Sequence, residues 1–136
     1  MKYLGILVIV LAIALAVVPA FTNCSAQGSF LTTAAGKQID MKCHWSAQAE
    51  IALGIPLIGV GAMMALSRRK ESLRSISILG VVLGAIAISV PTTLIGVCSM
   101  PTHICVAAMK PAVLTFGGLI AIGSIGGIFL SQRAKD

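Results

Sequence analysis

Residues 3–22 read Tyr-Leu-Gly-Ile-Leu-Val-Ile-Val-Leu-Ala-Ile-Ala-Leu-Ala-Val-Val-Pro-Ala-Phe-Thr, a run without a charge. A helix that crosses a bilayer needs about 20 mostly apolar residues, and this stretch meets that length. Three further runs repeat the pattern at 48–66, 75–97 and 111–130, the second carrying one acid, Glu50, near its start. Membrane strands alternate over about 10 residues, so long unbroken runs argue for helices. Composition agrees: the 136 residues are 57% hydrophobic and 10% charged, with a mean hydropathy of +1.01, whereas soluble domains carry about 25% charged residues. The expectation is an all-α integral membrane four-helix bundle that forms a single transmembrane domain over residues 1–136.

The net charge of +6 does not indicate a nucleic-acid partner, because it sits in short patches between apolar runs. Arg68, Arg69, Lys70 and Arg74 fall between the second and third runs. Lys2 precedes the first, and Arg133 and Lys135 follow the fourth. The other connections hold only Lys37, Lys42 and Lys110. Basic residues are retained on the cytoplasmic side. Both termini are therefore expected to be cytoplasmic in a multi-pass protein of the plasma or inner membrane, with loops 23–47 and 98–110 forming a short extracytoplasmic cap. Trp45 and Phe21 fall near the outer interface and Tyr3 near the inner one. Lys2, the apolar run and small residues near Ala26 also suit a signal peptide, but a run of about 18 residues exceeds the usual apolar length of 7–15. The first helix is expected to be retained.

Lipid gives no hydrophobic drive for helices to associate, so small residues must let backbones approach. Gly80 and Gly84 pair on the third run. Gly123 and Gly127 pair on the fourth, beside Gly117, Gly118 and Gly126. Gly54, Gly59 and Gly61 line the second, and Ala12 and Ala16 the first. These predict packing within the chain; the alternative is that a spare glycine face, on the fourth helix, docks a partner subunit. Pro19, Pro56 and Pro91 are expected to kink their helices. Thr92 and Thr93 are placed to satisfy freed carbonyls, and Pro111 suits a first helical position.

Chemistry is confined to the two outer connections. Cys24 and Cys43 bound one, which continues as Met41-Lys-Cys-His-Trp45. The other holds Cys98-Ser-Met-Pro-Thr-His-Ile-Cys105. Three readings of these residues stand together. Outside the cytoplasm thiols tend to pair, so Cys24, Cys43, Cys98 and Cys105 are disulfide candidates. Of three possible connectivities, pairing within each loop is preferred. Alternatively, Cys43, His44, Cys98, Met100, His103 and Cys105 form a ligand set: thiolate, thioether and imidazole suit copper(I), and Cys/His sets suit zinc. The third reading is thiol–disulfide exchange. There the plan resembles the quinone-linked membrane disulfide oxidoreductases, the disulfide-bond-forming and vitamin K epoxide reductase-like families, in architecture. It lacks their Cys-x-x-Cys, since Cys98 and Cys105 stand seven positions apart. Glu50 reads as an interfacial acid paired with Lys42 or Lys110, or else as a cation ligand beside His44. Asp40 reads as a loop acid, and Arg68-Arg69-Lys70 as a topology signal touching lipid phosphate.

Met-Lys-Cys-His at 41–44 before the second run, and Cys-x-Met-Pro-x-x-x-Cys at 98–105 before the fourth, resemble a family of uncharacterised small four-span membrane proteins of bacteria and archaea. Members of that family are similar to proteins encoded near ABC-transporter permeases of the macrolide-export and lipoprotein-release type. The resemblance implies an accessory membrane subunit, with an ABC-transporter-type partner or a homo-oligomer, and assigns no catalytic residue. The leading expectation is thus a non-enzymatic accessory protein in the lipid bilayer with a disulfide-tied outer cap. An extracytoplasmic copper or zinc site is the second, and a membrane thiol–disulfide oxidoreductase the third.

Overall fold

The computed structural model describes residues 2–26, 28 and 30–133, so the predicted basic residue Lys135 lies outside the described residues. Four long helices follow one another: α1 (Lys2–Thr22), α2 (Lys42–Leu66), α3 (Lys70–Ser89) and α4 (Lys110–Arg133). Each is apolar around nearly its whole circumference, as a helix surrounded by lipid and neighbours must be. A helix of 21 residues such as α1 rises about 31 Å at 1.5 Å per residue, the thickness of a hydrocarbon core.

The expected spans are present, but their ends move. α2 begins at Lys42, before the expected start at 48, so Cys43, His44 and Trp45 occupy its first turn rather than a loop. α3 begins at Lys70 and takes in Glu71 and Arg74, because charged residues continue a helix into the headgroup zone once the apolar run has nucleated it. Beyond Ser89 the chain passes into a π-helical turn over Val90–Leu94 that contains Pro91. A second π-helical turn, Cys105–Met109, leads directly into α4, so Pro111 follows a continuous helical lead-in rather than opening a helix. Proline removes a backbone donor, and the wider turn is one way a helix absorbs that loss. Thr92 Oγ1 donates to Ile88 O at 2.8 Å and Thr93 Oγ1 to Ser89 O at 3.2 Å, so the hydroxyls do cover carbonyls of the disturbed turn. The 23–41 connection folds back as a short antiparallel pair, β1 (Leu31–Thr32) with β2 (Gln38–Ile39), pairing Leu31 with Ile39 and Thr32 with Gln38. Its tip carries Gly36 at φ +78°, a conformation that favours glycine.

α1 packs chiefly on α2 and α3 on α4, and α1–α4 and α2–α3 contacts close the bundle. The seams are built from small residues. A Cβ added to Gly5 would lie 2.6 Å from Ala65 N, one added to Gly54 2.7 Å from Ala16 Cβ, and one added to Gly127 2.7 Å from Ser77 Oγ. Gly80 stands against Ser124, and Gly84 against Gly117 and Ala121. The predicted intrachain use of these glycines therefore holds. Gly59 and Gly118 meet nothing within 4 Å and face outward. The core runs down the middle as Val8, Ala12, Leu15, Leu57, Val60, Met64, Ala87, Val113 and Ile120. Ile6, Val10, Ile55, Val82, Ile122 and Phe129 are exposed. In water they would form apolar patches far beyond those of a soluble monomer; in a bilayer they meet lipid.

Up-and-down connectivity gathers the helix ends into two sets. Lys2, Arg68 and Lys70 converge with Ser67 and Ser131 at one end, and both cysteine-bearing connections lie at the other. Replacing Gly5 by Ala should cost about 1–3 kcal/mol, because the methyl group meets backbone and not a side chain that can swing away. Gly118→Ala should cost nothing measurable. Thermal unfolding in detergent followed by circular dichroism checks the contrast, and equal midpoints would remove the close-approach account of the α1–α2 seam.

Candidate metal centre

Four separate chain segments deliver the four thiols to one place. Cys24 stands two residues past the end of α1. Asn23 turns the chain there: its Nδ2 donates to Pro19 O and Ala20 O at 3.0 Å each, and its Oδ1 accepts from Ala26 N at 2.7 Å. Cys43 lies in the first turn of α2, on the inward face with Ala47. Cys98 follows a sharp turn at Gly96, whose φ of +79° favours glycine. That turn is pinned when Ser46 Oγ of α2 donates to Gly96 O at 2.7 Å. Cys105 opens the helical segment that becomes α4.

The four Sγ atoms all lie within 4.8 Å of one another. Cys43 and Cys98 approach to 3.2 Å and Cys24 and Cys98 to 3.7 Å, both pairs reaching between the connections, and all four thiols are free. A tetrahedral zinc with Zn–S of about 2.3 Å requires sulfur–sulfur edges of about 3.8 Å. Shifts of less than an ångström bring this cluster to that size. Cys43 stands at the N-terminal turn of α2, the positive end of the helix dipole.

The other expected ligands are distributed unequally. His103 Nδ1 lies 3.8 Å from Cys24 Sγ, beside the cluster. Met100 is exposed on its rim. His44 turns to other partners: Nε2 is 3.9 Å from Asp40 Oδ2, the ring meets Trp45 edge-on at 5.6 Å, and Nδ1 is buried without a hydrogen bond. Two participants carried weaker signals. Cys24 lies outside the expected ligand set, and the antiparallel return of α2 along α1 brings it to the cluster. Met41, whose Sδ lies 3.9 Å from Cys98 Sγ, belongs to the Met-Lys-Cys-His motif but had no assigned role.

Glu50 corrects an expectation. It is fully buried, and neither carboxylate oxygen has a hydrogen-bond partner. It does not pair with Lys42 or Lys110 at an interface. Because α2 starts at Lys42, Glu50 lies well inside the helix. It shares the inward face with Cys43 and Ala47, about 10 Å below Cys43 at 1.5 Å per residue.

Burial, reinforced by hydrogen bonding with Cys43, pushes the Cys98 thiol above the ordinary thiol value. Burial acts in the same direction on Cys24, with Cys105, Cys43 and Cys98 adding to it. Water-poor surroundings thus disfavour the Cys24 and Cys98 thiolates without a countercharge, and a bound cation supplies one.

The fold and site define a class: a four-helix protein of membrane-spanning length with a four-thiol cluster at one end of the bundle. The family model described as "Domain of unknown function (DUF4418)" matches residues 3–130, and the chain belongs to that family. No curated protein and no solved structure matches it.

Two outcomes test the site. In the reduced, metal-free protein, iodoacetamide should modify Cys98 ahead of the three buried cysteines. Because thiolate is the nucleophile and the Cys98 value is raised, its rate should keep rising beyond pH 9.0, the ordinary thiol value; a plateau at or below that pH would contradict the burial effect. Separately, Glu50→Leu should raise thermal stability in detergent by about 1–3 kcal/mol, since an unpartnered buried carboxyl is removed. A fall in stability would mean that the carboxyl has a partner in the native membrane protein.

Proposed function

We propose that this is a multi-pass membrane protein that holds one thiophilic metal ion, zinc or copper, in a site formed by Cys24, Cys43, Cys98 and Cys105. The observation that carries the reading is the convergence of four sulfurs within 4.8 Å from four different segments. Random burial of cysteines in a chain with only four has no reason to bring all of them to one point. Closed four-thiolate sites are characteristic of structural zinc, and thiolate sets also suit copper(I). The ion would knit the ends of α1, α2 and α4 to the turn after α3.

The bias of basic residues toward Lys2, the α2–α3 connection and Arg133 supports cytoplasmic termini and an extracytoplasmic metal site. The family resemblance supports an accessory role beside an ABC-transporter-type permease, or self-association. Recovery of monomer alone from mild detergent would count against that role.

Disulfide formation is the second reading, favoured by the 3.2 Å approach of Cys43 and Cys98. Oxidation would join the first turn of α2 to the second outer connection. A cycling version of that bond is what the oxidoreductase reading needs.

Native mass spectrometry with thiol trapping separates these readings. Protein purified under reducing, metal-replete conditions should carry one metal equivalent. Single Cys→Ser variants should bind more weakly by more than the roughly 10–100-fold that loss of a partner behind a ligand costs, and saturating metal should raise the unfolding temperature by mass action. A metal-free protein that stays metal-free on titration, with Cys43 joined to Cys98, would replace the metal reading with the disulfide one.

A further inference from the structure

The four sulfurs are not equally reachable. Cys24, Cys43 and Cys105 are buried, whereas Cys98 is half-buried and lines a cavity of about 420 Å³. Met41, Lys42, Met100 and His103 border the same cavity. Met41 Sδ is 3.9 Å from Cys98 Sγ, and His103 Nδ1 is 3.8 Å from Cys24 Sγ. An ion arriving from solution therefore meets two thioethers and an imidazole in the same cavity as the Cys98 thiol, while the other three thiols are buried.

That set of donors discriminates between ions. Zinc sites in proteins are built from thiolate, imidazole and carboxylate, and thioether sulfur is a soft donor that suits copper(I). The cavity's basic side chain acts in the same direction. Lys42 repels a dication twice as strongly as a monocation at the same distance. No carboxylate borders the cavity among the described residues, so it offers no anionic oxygen to a hard ion.

We propose that this cavity is a loading vestibule for copper(I), in which Met41 and Met100 are transit ligands that pass the ion to Cys98 and, through it, to the buried thiols. The proposal rests on the four-thiol reading above and names the ion it serves. Loading involves no electron transfer. Each thiol that becomes a ligand releases its proton to water, while the thioethers exchange as neutral donors.

The test uses the full-length reduced protein in detergent under nitrogen. Copper(I) is supplied as its acetonitrile complex, and zinc is supplied in parallel as its chloride. Loading is followed by stopped-flow competition with a chromophoric chelator. The Met41→Leu/Met100→Leu variant should load copper(I) about tenfold more slowly or worse, with its zinc loading rate and final stoichiometry unchanged. Leucine keeps the apolar bulk, so equal slowing of both ions would indicate altered access and overturn the proposal, as would unchanged copper(I) loading. Met100→Leu alone, at an exposed position, gives the same readout if the double variant folds poorly. A wild-type protein that binds neither ion removes the four-thiol reading and this one together. Normal zinc binding with unchanged copper(I) kinetics removes only the vestibule.

Discussion

Inside a bilayer no water is available to satisfy a peptide N–H or C=O, and the rest of this structure depends on that constraint. It makes each apolar run a helix and leaves irregular backbone only at the ends of the bundle or where protein covers it. Four spans joined by short connections alternate in direction, so the first and third connections must share one end. Cys24, Cys43, Cys98 and Cys105 all belong to those connections or to the helix turns beside them. The thiol cluster is thus a consequence of where a membrane helix is permitted to stop.

Bringing the ends within bonding range then depends on how closely the helices approach. Gly5 and Gly61 lie backbone to backbone across α1–α2, and Gly84 lies against Gly117 across α3–α4. A larger residue at these seams would separate the helix ends above them, and a cluster only 4.8 Å across has little room for that. The cap adds its own restraints. Asn23 closes α1, and Ser46 reaches across to hold the Gly96 turn. Dispersion and a few hydrogen bonds position the sulfurs, and a metal ion or a disulfide would add a strong bond among them.

Polar groups buried without partners mark where this fold departs from pure packing. The carboxylate oxygens of Glu50, the hydroxyls of Ser77 and Ser124, and Nδ1 of His44 are all enclosed and unbonded. The serines stand at glycine contacts on the α3–α4 seam, where a small side chain is needed whatever its polarity. Glu50 has no such excuse, since an apolar residue would fill its place. It sits on the α2 face that carries Cys43. An acid within a membrane span usually marks a site of function.

Four helices and their alternation are legible in the residues alone, because about 20 apolar residues in succession have one stable form in lipid. The sequence also placed every cysteine in the same half of the molecule, since that follows from counting spans. The helix ends were less legible. Lys42–Trp45 and Lys70–Arg74 are polar enough to read as loop, yet they continue helices beyond the apolar runs, where polarity no longer distinguishes helix from coil. That shift also turned Glu50 from an expected rim acid into an interior one. The folded arrangement was needed to show that the four thiols meet, that Cys24 joins them, that His44 turns away to Asp40 and Trp45, and that Cys98 opens to a cavity. Those outcomes depend on helix rotation and on the Gly96 turn. Both are set by contacts between residues far apart in the chain, which no local pattern of apolar and polar residues encodes.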